Sequence, residues 1–182
     1  MDFEAVNKLN IFLGGGAIVL QILSVFVLLL LVLGLRNNKV LKYVDKHFIS
    51  IGFAVSAVSA MFSMVYSEVI NYSPCYLCWY QRIFLFPVVF LFGIALWDKD
   101  RKVLKYVFPL VLVGFVISVY QNLVYYFKEG AENLPCDASG ISCFKELVSV
   151  FGGYISIPML ALTSFFALMV LIAVVHFRKD NN

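Results

Sequence analysis

Five long apolar stretches alternate with short polar segments along this chain, and the alternation is too coarse for a soluble fold. The stretches run over 11–35, 48–70, 76–97, 104–127 and 154–177. Each has the roughly 20 apolar residues that a helix needs to cross a bilayer. Charges inside them are few, with Glu68 and Arg82 the notable exceptions. The pattern predicts an all-α membrane protein with a four-helix transmembrane bundle and one extra N-terminal transmembrane helix. Residues 1–47 would form that helix and the loop after it. Residues 48–182 would form the bundle, with a polar outer loop at 128–153. No repeat or low-complexity tract divides the chain further. Pro87, Pro109 and Pro158 fall in or near spans, where they can bend a helix without having any other role.

Composition agrees with the pattern. The chain has 182 residues, 62% hydrophobic and 14% charged, against roughly a quarter charged in soluble domains. The net charge of +3 carries no suggestion of nucleic acid, because the basic residues sit in short loops between apolar runs. The first stretch differs from a cleaved signal peptide. Its uncharged core, Ile11 to Leu35, exceeds the usual 7–15 residues or so, its basic flank follows it, and no small-residue cleavage site stands out.

Lysine and arginine placement predicts the orientation. Arg36, Lys39, Lys42, Lys46, Lys99, Arg101, Lys102, Lys105, Arg178 and Lys179 gather on one side, ten of the fourteen basic residues. Lys8, Lys128, Lys145 and Arg82 fall on or near the other. The ten mark the cytoplasm, which puts the N-terminus outside and the C-terminus in the cytoplasm. His47 and His176 are then cytoplasmic. All four cysteines lie on or just beneath the outer surface, where disulfides persist.

Candidate chemistry concentrates in Cys75-Tyr76-Leu77-Cys78-Trp79-Tyr80-Gln81-Arg82. Ser73 can cap a helix and Pro74 suits its first turn, so Cys75 and Cys78 fall in the opening turns. The positive end of the helix dipole favours a thiolate there. Spacings of three and four put Cys75, Cys78 and Arg82 on one face. A disulfide between residues three apart closes a small loop and removes little unfolded-state entropy, so redox chemistry explains the pair better than stability does. Arg82 is costly in a membrane. It either forms a structural ion pair with Glu68 or stabilises negative charge on a thiolate or a reduced cofactor. Tyr76, Trp79 and Tyr80 suit an interfacial aromatic belt, and equally a flat pocket for a quinone ring. Gln121 and Asn122, near the outer end of the fourth span, are candidates to cap the same pocket.

In the outer loop, six residues separate Cys136 from Cys143, with Asp, Ser and Gly among them permitting a tight reversal. The pair reads as a loop staple or as a partner in thiol exchange. Phe144, Leu147, Val148 and Phe151 recur at helical spacing, predicting a short amphipathic helix on the membrane surface that holds Cys143 near Cys75. Two other readings compete with a redox enzyme. One is a membrane anchor or interaction protein with two inert disulfides. The other is a zinc site built from all four thiolates.

The string from Pro74 to Ile83 resembles the signature of the DsbB family of membrane thiol oxidases, most of all its BdbC-type members in Gram-positive bacteria. The Cys136/Cys143 loop and Ile157-Pro158 fit the same pattern, and the likeness extends over about residues 48–177. The resemblance implies a bacterial cytoplasmic membrane protein in which four helices hold a quinone, menaquinone or ubiquinone, beside the C-x-x-C. It implies reoxidation of an extracytoplasmic thioredoxin-like partner of the DsbA type. Cys136 would form the mixed disulfide with that partner and Cys143 would pair transiently with Cys75. Cys78 would pass electrons to the quinone, with Arg82 nearby. Relatives of vitamin K epoxide reductase carry their loop cysteines before the C-x-x-C, and the order here is the reverse. Two features depart from the family pattern. The helix at 11–35 lies outside the four-helix core, and Gln121 falls where many members have a histidine in the third core helix.

Overall fold

The computed structural model describes residues 3–35, 38–72, 74–127 and 152–179. Cys136, Cys143 and the surface helix expected over 144–151 lie outside the described residues, as does Ser73. The described chain is helical: α1 (Phe3–Val32), α2 (Lys39–Lys46), α3 (Phe48–Met64), α4 (Tyr76–Asp98), α5 (Leu104–Phe127) and α6 (Ile157–Lys179). Among the described residues, five helical stretches are long and apolar enough to cross a membrane. The chain is thus a multi-pass membrane protein of four bundle helices, α3 to α6, with α1 added.

The ends of the elements differ from the sequence reading for local reasons. α1 begins at Phe3 rather than residue 11, because the polar start is itself helical and carries a Glu4–Lys8 ion pair of 2.8 Å one turn apart. It stops at Val32 because Gly34 takes a left-handed conformation (φ +72). Leu35 N–H then reaches Leu30 O and Gly34 N–H reaches Leu31 O, which satisfies the last carbonyls of the helix. The segment expected to be a basic loop contains α2. Asn38 caps it by accepting from the Val40 N–H at 2.9 Å, and wholly buried Leu41 anchors it beneath α1 and α6. α3 ends in a π-helical turn over Val65–Val69, closed by Ile70 N–H to Val65 O. Asn71 follows with φ +59, a conformation that asparagine tolerates better than most residues.

α5 packs along α6, α3 along α4, α4 along α5, and α1 along α6. Between apolar helices in lipid there is no hydrophobic driving force, so close fit supplies the attraction. Gly52 supplies it between α3 and α4, where a Cβ would strike the Phe92 ring. Gly114 does the same between α5 and α6 against Phe165. Phe48, Val88, Val107, Val111 and Leu168 complete the interior. Large apolar side chains on the outside, including Val19, Ile22, Phe90, Ile94 and Val116, form the surface that lipid would cover.

The bundle has two chemically different ends. At one, Asp45 of α2 pairs with Arg101, just before α5, and with Arg178 of α6 at 3.3 Å, while Arg178 also donates to Leu41 O. At the other lie the start of α4 with Cys75 and Cys78, the end of α5 and the start of α6. There Asn122 Nδ2 donates to Pro158 O at 2.8 Å.

Candidate functional site

α4 starts two residues later than its sequence suggests. Cys75 is the N-cap itself, extended at φ −72 and ψ 169, and no side-chain hydrogen bond caps the helix there. Its carbonyl accepts from Trp79 N–H at 3.1 Å. Pro74 therefore precedes the cap instead of occupying the first turn. This leaves the N–H groups of Tyr76, Leu77 and Cys78 without intrahelical acceptors, at the positive end of the helix and beside the two thiols.

Cys75 is buried and Cys78 half-buried, with their Sγ atoms 3.1 Å apart. The spacing of three residues thus brings the sulfurs into direct contact on one face. Gln121 of α5 reaches both: its Nε2 donates to each Sγ at 3.5 Å. That amide is oriented by Gln81, whose Nε2 donates to Gln121 Oε1 at 2.7 Å and to Ser118 Oγ at 3.1 Å. Ser118 in turn donates to Gly114 O at 2.8 Å. The sulfurs therefore sit at the end of an oriented polar chain joining α4 to α5. Sequence reading singled out Gln121 but gave Gln81 no role. The available signal was a second glutamine inside an apolar span.

Arg82 is 6% exposed. Its Nε donates to Ser63 Oγ at 2.8 Å and its Nη2 to Ser63 O, tying α4 to α3. Its guanidinium lies 5.4 Å from the Trp79 ring centroid, within cation–π range. The ion pair with Glu68 raised by the sequence is not formed. Glu68 lies in the π-helical turn, exposed, and takes a hydrogen bond from Ser67 instead. A regular α-helix was assumed there, and the wider turn changes which side chains face α4.

A cavity of about 370 Å³ opens beside these groups, within the roughly 300–1,000 Å³ range of small-molecule sites. Cys75, Cys78, Gln81, Arg82 and Gln121 line one part of it, with Ser63 and Tyr66 from α3 and its π turn. The rest is mostly apolar and includes Val58, Phe62, Leu160 and Ala161. Helix α1 supplies a further side through Leu13, Ala17 and Leu20. Trp79 is 53% exposed and backs Arg82 without lining the cavity. Asn122 is also outside the lining, and its amide joins α5 to α6. The arrangement can store two electrons in a dithiol, and it opens that dithiol to a small apolar compound with a polar end.

Comparison with known proteins agrees with this chemistry. The family model described as Disulfide bond formation protein DsbB matches residues 45–175. A probable disulfide formation protein C 2 of Bacillus anthracis is 34% identical over 139 residues, 76% of this chain and 97% of that protein. The disulfide bond formation protein C of Bacillus subtilis (strain 168) is 33% identical over 133 residues, 73% of this chain and 95% of that protein. A probable disulfide formation protein of Chlamydia trachomatis serovar D is likewise 33% identical, covering 72% of this chain and 94% of that protein. No solved structure matches the chain. With a contacting C-x-x-C at one end of a membrane-spanning bundle, the chain belongs to the DsbB family of disulfide bond formation proteins, oxidoreductases whose chemistry is thiol oxidation.

Proposed function

We propose that the chain reoxidises an extracytoplasmic thioredoxin-like oxidase of the DsbA type and delivers the electrons to membrane quinone. The observation that carries this reading is the Cys75–Cys78 sulfur pair opening onto an apolar cavity that also contains Arg82 and Gln121.

The exchange begins in the outer loop. A thiolate of the partner attacks the Cys136–Cys143 disulfide, and the mixed disulfide forms at Cys136. The partner's second thiol resolves it, so the partner leaves oxidised and Cys136 and Cys143 are left as thiols. Cys143 then attacks the Cys75–Cys78 disulfide at Cys75, and Cys136 resolves that mixed disulfide in turn. The loop disulfide is restored, and two electrons now reside on Cys75 and Cys78.

Residues present at the cavity suit a quinone. Arg82 is a donor for its oxygens, Gln121 lines the same wall while donating to the two sulfurs, and the apolar remainder suits its ring and chain. A bound quinone supplies an acceptor for two electrons and two protons, leaving as quinol. Cys78, half-buried where Cys75 is buried, carries the reacting sulfur. As the Cys75–Cys78 bond re-forms, its two electrons and two thiol protons depart. Gln121, held by Gln81, stabilises negative charge on either sulfur. Trp79 supports the guanidinium from the lipid side. The basic residues gathered at the Asp45 end support a cytoplasmic placement of that end and an outward placement of the cysteines.

Anaerobic stopped-flow of the purified protein with reduced partner and added quinone tests the reading. Quinol is expected from the wild type and none from Cys78→Ser. Full turnover by that variant would reject the assignment.

A further inference from the structure

Helix α1 precedes the matched span of residues 45–175, yet it forms part of the cavity wall. Its position is fixed by polar ties at two heights. Near the C-x-x-C end, Asn10 Oδ1 accepts from the buried Tyr66 hydroxyl at 2.6 Å. Eleven residues on, about 16 Å along the axis, Gln21 Nε2 donates to Thr163 Oγ1 at 2.7 Å, and Gln21 Oε1 accepts from Tyr154 at 3.1 Å. Polar side chains in an apolar span are costly without partners, so these three bonds hold α1 against the π turn after α3, against α6 and against the turn before α6. The cavity-lining residues Leu13, Gly16, Ala17 and Leu20 lie between the two ties. They add apolar surface, whereas the polar groups Arg82, Gln81 and Gln121 come from α4 and α5.

We propose that α1 is a specificity wall of the acceptor site, holding the apolar chain of the quinone whose ring lies beside Cys78 and Arg82. The proposal rests on the quinone reading above. It assigns the added helix a share of binding that a four-helix bundle would leave to lipid, and it predicts discrimination by the acceptor's tail.

Two neighbouring glycines separate this role from a general effect on α1. A Cβ at Gly16 or at Gly15 meets nothing within 4 Å, but only Gly16 lines the cavity. Gly16→Leu therefore starts its side chain in open space on the cavity wall, and Gly15→Leu is the matched control. The full chain in nanodiscs, with dithiothreitol as electron donor, is assayed with a naphthoquinone bearing an isoprenoid chain and with its tail-less counterpart. Gly16→Leu is expected to raise KM for the tailed quinone about tenfold, comparable with losing the burial of two methylene groups. KM for the tail-less quinone should stay within about twofold of the wild type, and Gly15→Leu should change neither. Should Gly16→Leu lack the wild-type melting transition, Leu20→Ala removes wall instead of filling it and should raise KM for the tailed quinone alone. Equal effects on both quinones, no effect on either, or the same effect from Gly15→Leu would overturn the assignment. If the wild type reduces neither quinone, the acceptor reading itself fails and the α1 assignment falls with it. If the wild type reduces both and the variants do not discriminate, only the α1 assignment fails.

Discussion

Gln121 shows how one side chain can serve two sulfurs. Its oxygen is engaged by Gln81, which leaves the amide nitrogen directed at Cys75 and Cys78. A hydrogen bond to a charged group contributes about 1.5–3 kcal/mol, so Gln121→Ala should slow turnover of the reduced Cys75–Cys78 pair by about ten- to a hundredfold. Single-turnover oxidation monitored by thiol trapping measures this, and an unchanged rate would remove Gln121 from the site. Arg82 was legible in the sequence as an unusual charge in a span. Its partner was not, because Ser63 is an ordinary residue in an apolar run and Glu68 looked the better match.

At the scale of elements, glycine against phenylalanine sets the spacing of the bundle. Gly114 has no room for a Cβ before the Phe165 ring. Gly114→Ala must push α5 and α6 apart or force the ring from its rotamer, at a cost of about 1–3 kcal/mol. A lowered melting temperature in detergent is the expected result, whereas an unchanged one would mean the helices have slack. The five apolar runs were readable because lipid demands length and apolarity of any spanning helix. α2 was hidden because four lysine or arginine residues in 36–46 dominated its segment, although Asn38, Leu41 and Val44 carried a capping and burial pattern. The start of α4 lies two residues beyond the place its sequence suggests, because Pro74 fits more than one slot before a helix. The spacing of Cys75 and Cys78, by contrast, needed only helix geometry, and their sulfurs do meet.

For the whole molecule, function depends on which end faces out. Asp45, Arg101 and Arg178 bind three segments together at the end away from the cysteines. The positive-inside rule supports the proposal that this end is cytoplasmic. A cysteine introduced as Lys102→Cys, in a background with the native cysteines replaced by serine, should resist a membrane-impermeant maleimide in intact cells and react after permeabilisation. Labelling in intact cells would invert the topology and detach the thiol pair from any secreted partner.

The widened turn at Val65–Val69 closes α3 with one residue more than a regular turn holds. Removing a single codon there, for instance that of Ser67, would let the backbone relax into regular winding. Everything after the deletion would then keep nearly its present rotation, whereas the same loss in the regular part of α3 would turn it by about 100°. The segment leading into Cys75 would leave α3 from nearly the same place, and the bundle would keep its fold. An in-frame loss of one amino acid within the turn should therefore leave a membrane-inserted protein that still presents its sulfurs, and the same loss within Phe48–Met64 should not.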